Sequence, residues 1–168
     1  ILATNDNWGT ATNASDITAT GLAPTNALES AILTSLAPGA YTVVVSGVNS
    51  GVGVGIVEVF EVDGPQIPLA NISTRGQVQT GNNVMIGGFV ISGASPQTVL
   101  IRARGPSMIP AGVTNALANP TMTLVDQATN AHLATNDDWG SATNAAAITA
   151  TGLAPTNAFE SATLTTLQ

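Results

Sequence analysis

Cysteine is absent from the 168 residues, and so is lysine. Without cysteine there is no disulfide framework, no thiolate metal site and no thiol nucleophile. Three basic residues, Arg75, Arg102 and Arg104, stand against ten carboxylates, for a formal net charge of −7. Nucleic-acid binding draws its affinity from clustered Lys and Arg that displace counterions, so that class is disfavoured. Attachment to an anionic membrane surface fails on the same ground. The missing lysine also excludes Lys–Asn isopeptide cross-links. Charged residues make up only 8% of the chain, where ~25% is usual. The surface must therefore be built from Thr, Ser, Asn, Gln and Gly. No apolar run approaches the ~20 residues of a membrane span, so no membrane insertion is expected, and no signal peptide is visible.

What is present is enough apolar material for a core. The chain is 44% hydrophobic, and a domain of this size removes roughly two-thirds of its unfolded surface from water. Disordered chains combine low hydrophobicity with high charge, which is the opposite composition. The chain starts at Ile1 rather than Met, which reads as a mature or excised segment.

The strongest signal is a tandem repeat. LATNDNWGTATNASDITATGLAPTNALESAILTSL begins at Leu2, and LATNDDWGSATNAAAITATGLAPTNAFESATLTTL ends at Leu167. Leu133 stands 131 positions after Leu2, and over 35 aligned positions without a gap 28 are identical. That period is the size of an independent domain and too long for a solenoid unit.

Between the copies the pattern reads as β-structure. Candidate strands are 28–35, 40–48, 55–63, 73–80, 83–92, 97–104, 121–126 and 131–136. GAYTVVVSGV and GIVEVFEVD flank NSGVG and read as a hairpin, and NVMIGGFVI and QTVLIRARG flank SGAS and read as another. Short strands separated by Gly, Pro and Asn turns predict an all-β fold, an antiparallel β-sandwich of jelly-roll type. One short helical element is expected in each copy, over Thr12–Ala19 and Thr143–Ala150, stopped by Gly21 and Gly152 with Pro24 and Pro155 beyond.

Ordered by the repeat, residues 1–63 are the C-terminal part of one unit and 64–168 the N-terminal part of the next. The strands 38–63 occur once, so the second unit needs them, or a neighbouring chain or repeat, for completion. An unpaired sheet edge is a template for strand addition.

The segments ANISTRGQVQTGNNVMIGGFVISG, VLIRARGPSM, LANPTMTLVD, LATNDDW, ATGLAPTNAFESA and LAPGAYTVVVSGVNSGVGVGIVEVFEVD occur in this chain in a cyclic order. In them the chain resembles a family of tandem repeats in large secreted or cell-surface proteins of environmental bacteria such as Verrucomicrobia, Acidobacteria and Planctomycetes. The resemblance covers nearly the whole chain. It implies an extracellular setting and several copies per polypeptide, and it brings no catalytic residues with it.

Individual residues add little chemistry. His132, the only histidine, has Ile1 as its repeat partner, which is poor ground for a general base or metal ligand. Asp137 and Asp138, with Asp6 and Asn7 in the first copy, precede Trp-Gly and read first as turn formers. The rival reading is a Ca²⁺ site of Asp137, Asp138 and Glu160, repeated as Asp6, Asn7 and Glu29, although Ca²⁺ wants six or more oxygens and no D-x-D-x-D loop is present. Trp8 and Trp139 occupy one repeat position and read as anchors over the end of a sandwich core, with sugar stacking as the alternative. GVGVG at 51–55 reads as a hairpin turn and not a dinucleotide loop, since no helix follows. Arg102 and Arg104 share a strand face and are expected to pair with carboxylates. Asn13-Ala-Ser15 and Asn71-Ile-Ser73 match glycosylation acceptors but arise easily in so Asn- and Ser-rich a chain.

Together these features predict a non-enzymatic structural repeat at the cell surface or outside the cell. Its principal partner is itself, in an array or filament, and low charge eases the approach of identical acidic subunits. A calcium-dependent carbohydrate-binding or adhesion module, with glycans as partners and repeats serving avidity, is the alternative.

Overall fold

The computed structural model describes residues 1–62 and 69–168. The proposed junction at 63/64 lies outside them. The chain separates into two compact units, Ile1–Ile72 and Ser73–Gln168, and each contains one copy of the repeated segment.

The second unit holds the regular sheet structure. Strand β1 (Gln97–Ala103) pairs antiparallel with β4 (Ser161–Leu167), in a register running from Gln97 opposite Leu167 to Ala103 opposite Ser161. Strands β2 (Met122–Val125) and β3 (His132–Asn136) form a second antiparallel pair with a bulge at Leu124/Val125. Their connection closes through Asp126 N to Ala131 O (2.9 Å), and Asp126 Oδ1 accepts from Ala128 N (2.8 Å) and Thr129 N (3.2 Å). Those backbone bonds to Ala128 and Thr129 stabilise the carboxylate and hold its pKa below the ordinary Asp value. This is a side chain capping its own turn.

The helices lie inside the Ala-rich windows, α1 at Ala14–Ala19 and α2 at Ala145–Ala150. Each ends where Gly21 (φ 74°) and Gly152 (φ 71°) take up the left-handed conformation that glycine adopts without a Cβ penalty. Each buries one isoleucine, Ile17 and Ile148, at 4% and 0% exposure.

The sandwich predicted from the strand pattern is not formed. The described residues hold four strands in two two-stranded sheets with short helices, a mixed α/β arrangement low in regular structure and without closure into a sandwich. The runs 28–35, 40–48, 55–62, 73–80 and 83–92 are extended or irregular and carry no ladder. The reason is pairing. Alternation tells which residues would share a face, but a strand exists only through hydrogen bonds to a neighbour, and an isolated hairpin is marginal in water.

Both faces of 43–45 stay in solvent, with Val43, Val44 and Val45 all well exposed, so no apolar burial stabilises that hairpin. Its turn forms nonetheless, at Val48–Ser50. There Gly51 N donates to Val48 O (3.0 Å), and a Cβ on Gly47 would stand 2.1 Å from Gly51 O. The hairpin expected between 83–92 and 97–104 is likewise replaced. Only its second arm is a strand, and its partner is β4, some 60 residues on in sequence, not the adjacent run.

Candidate functional site

The repeated segment builds the same local scaffold twice. Trp8 N donates to Glu29 O and Trp139 N to Glu160 O, both at 2.9 Å. The Asn13 and Asn144 side-chain amides donate to Leu33 O (3.0 Å) and Leu164 O (2.9 Å). Asn5 Oδ1 accepts from Ala31 N (3.0 Å), as Asn136 Oδ1 does from Ala162 N (2.8 Å). Thr20 and Thr151 each donate to an isoleucine carbonyl at 2.7 Å and accept from a leucine N–H at 3.1 Å. These bonds tie turn, helix and the start of the following strand into one unit, using residues that the two copies share.

Around the second copy this scaffold presents a docking seat. Glu160 is completely buried, and its Oε1 accepts from Gly105 N (2.8 Å), Ser107 N (2.9 Å) and Ser107 Oγ (2.6 Å). Gly105, Pro106 and Ser107 follow β1 after Arg104; Gly105 caps a 3₁₀ helix, Pro106–Ala111, that Pro106 and Ser107 open. A side chain cannot replace glycine at 105, because its Cβ would meet Leu117 O at 2.0 Å. Arg104 Nε holds the Ser107 hydroxyl at 3.0 Å.

Burial pushes the Glu160 carboxyl up. The side-chain and backbone bonds from Ser107, the Gly105 N–H and the Arg104 charge outweigh it, and the pKa lies below the ordinary Glu value. The carboxylate is thus an internal clasp that fixes the β1–β4 register. Ser161, fully buried beside it, lies in bonding reach of Asp137 O (2.9 Å) and Pro120 O.

The first copy makes no such seat. Glu29 is exposed, and its Oε2 accepts a long bond from Asn26 N (3.4 Å). Residues 30–36 pair with no strand among the described residues. Trp139 Nε1 donates to Asn157 O (3.2 Å), whereas Trp8 Nε1 is buried without a partner.

The calcium candidates are distributed differently from the sequence expectation. Glu160 is drawn to Gly105 and Ser107, not to Asp137 or Asp138. Asp138 Oδ1 and Glu160 Oε2 are buried without partners. The Asn119 amide, oriented so that both its ends are satisfied, reaches Asp137 Oδ1 (3.3 Å) and Phe159 O (2.9 Å). In the first copy Asp6 Oδ2 accepts from Asn7 Nδ2 (3.4 Å), and the Asn7 carbonyl accepts Thr10 Oγ1 (2.7 Å). Among the described residues no three His, Asp or Glu side chains converge on a common point.

His132 starts β3 in an exposed position. Arg102 Nη1 donates to Leu153 O (2.7 Å) and Arg104 to Ser107, so both bind neutral oxygen acceptors. The tryptophans anchor the turn to the following segment within each copy through their backbone N–H groups; among the described residues there is no sandwich end for them to cover.

Gly105 and Ser107 carry the seat and were not singled out by residue type. The available signal was a glutamate duplicated at the head of an apolar run in a chain that has few charges. No protein-family model, no curated protein and no solved structure matches the chain. No helix of the described residues is long and apolar enough to cross a membrane.

Proposed function

We propose that the protein is a structural repeat of an extracellular, self-associating array or filament, whose units join end to end by strand complementation. One observation carries this reading. The first copy of the repeated segment forms most of the internal bonds of the second but, among the described residues, stands without the strand and clasp that the second one has. A preformed edge of this kind is what strand addition uses, since main-chain hydrogen bonds supply affinity and alternate side chains supply register.

The exposed apolar side chains of Val43, Val45, Val52, Val54, Ile56 and Phe60 support the same reading, because large apolar groups left in solvent are available for burial against a partner. The extracellular setting rests on the repeat resemblance and on the duplication itself. The role is structural and not catalytic.

Electron microscopy and sedimentation of the purified chain across a concentration series provide the test. Fibres or chains with a spacing of one domain are expected. A uniform monomer at high concentration overturns the proposal.

A further inference from the structure

We propose that residues 28–36 of the first copy are a docking site for the β1 strand and Gly105–Ser107 hook of a second copy of this chain. This deepens the self-association reading, on which it rests, by naming the two surfaces that meet.

The template lies within the molecule. In the second copy, ESATLTTL occupies the seat made by β1 and Gly105–Ser107. In the first copy, ESAILTSL at Glu29–Leu36 offers the same carboxylate, the same following Ser-Ala and the same leucines. Transferring the observed register places Ala103 opposite Ser30, Ile101 opposite Ile32, Val99 opposite Thr34 and Gln97 opposite Leu36. Glu29 then takes Gly105 N, Ser107 N and Ser107 Oγ, as Glu160 does now. The one non-conservative change in the strand favours the exchange: Ile101 now faces Thr163 and would face Ile32, and an apolar cross-strand pair is at least as good. The scaffold that aims Glu29 is already built, through Trp8 N to Glu29 O and Asn13 to Leu33 O. Little of the acceptor must be ordered on binding, which is the usual cost of strand addition.

Each chain carries one seat and two segments that fit it. Occupation by a neighbour's first copy therefore displaces the host's own Glu160–Leu167, which is chemically almost the same but holds the advantage of lying in the same chain. Weakening the host's clasp should tip the competition toward the neighbour.

Two measurements on the full chain test this. In the first, a labelled peptide of residues 96–108 is titrated against the wild type. Binding should weaken at least tenfold in Glu29→Ala, and at least tenfold when Ser107 of the peptide is replaced by Ala. Loss of binding in Glu160→Ala but not in Glu29→Ala would mean that the peptide merely invades the host sheet, and that result overturns the proposal, as does absence of binding to the wild type.

In the second, Glu160→Ala should shift sedimentation toward dimers and longer species. Adding Glu29→Ala should return it to monomer, and oligomers that persist in the double variant overturn the assignment. If Glu160→Ala does not fold, the peptide titration decides alone. Wild-type fibres indifferent to Glu29→Ala would remove this docking site and leave the array reading standing. Peptide capture by a chain that never polymerises would do the reverse.

Discussion

The two copies of the repeated segment are a natural control experiment. They share 28 of 35 residues and nearly all of their internal hydrogen bonds, yet one contains a strand and a buried carboxylate and the other neither. Ala162 is 1% exposed while Ala31, its counterpart, is half-buried, and Glu160 is fully covered while Glu29 is in solvent. Composition cannot explain this, since the segments are almost the same. What differs is the company: β1 and Gly105–Ser107 lie against the second copy, and nothing equivalent lies against the first among the described residues. Local chemistry builds the scaffold, and a distant segment turns it into a packed element.

The contrast can be broken most sharply at the clasp. Glu160→Ala removes the acceptor of the buried Gly105 N–H and of the half-buried Ser107 N–H and hydroxyl, and should destabilise the second unit by about 3 kcal/mol. Glu29→Ala should leave the first unit within about 0.5 kcal/mol. Urea denaturation, with hydrogen exchange to separate the units, measures both, and equal losses would remove the distinction. Gly105→Ala should cost about 2 kcal/mol or more, because the new Cβ meets backbone at Leu117. Gly9→Ala, with open space around it, is the matching control.

Ala162→Leu should cost about 1–3 kcal/mol through overpacking, against little change for Ala31→Leu. The difference in melting temperature between the two variants reports it.

Acid should weaken the clasp of the second copy. The Glu160 carboxyl is depressed in the folded state, so its contribution is fully present above the unfolded Glu value. It is lost as pH falls through the lower folded value. A melting-temperature series below about pH 4.5 should therefore show a larger loss in the wild type and in Glu29→Ala than in Glu160→Ala, which keeps only the part due to other depressed carboxylates such as Asp126. The smallest expected effect is at the end of the sheet, where the Thr98 and Thr166 hydroxyls meet at 2.8 Å. Replacing either by Val should cost roughly 0.2–1 kcal/mol, visible as faster exchange of the flanking amides.

Short-range features were legible in the sequence because their causes are short-range. The helices sit within Ala-rich stretches that end in glycine. The turn before Trp-Gly forms, but its local side-chain bonds come from Asn5 and Asn136, which donate to Asn7 O and Asp138 O, and not from the Asx side chains next to the tryptophans. Strands 97–103, 122–125 and 132–136 lie inside the candidate strands 97–104, 121–126 and 131–136. The sandwich was not a sound expectation, because period-2 alternation in 40–48 or 83–92 names no partner. Nor did spacing say that β1 would reach across to 161–167 and not back to 83–92.

The seat was hidden for the same reason. Glu160 and Gly105 are 55 residues apart, and neither belongs to a pattern that points to the other. The carboxylates suggested calcium because oxygen-rich side chains suit it, but backbone N–H groups and a hydroxyl claimed Glu160 instead.

By itself, then, the sequence determined the repeated scaffold: the Trp-anchored turn, the short helix stopped at glycine, and the asparagine bonds that hold the next segment. It did so twice, independently of surroundings, because every one of those bonds closes within about one copy's length and loop closure over so short a span is cheap. Only the tertiary structure decided which copy became a strand and which glutamate became buried. Those outcomes require hydrogen-bond partners and apolar cover from a segment far along the chain, and one such segment can serve one copy at a time.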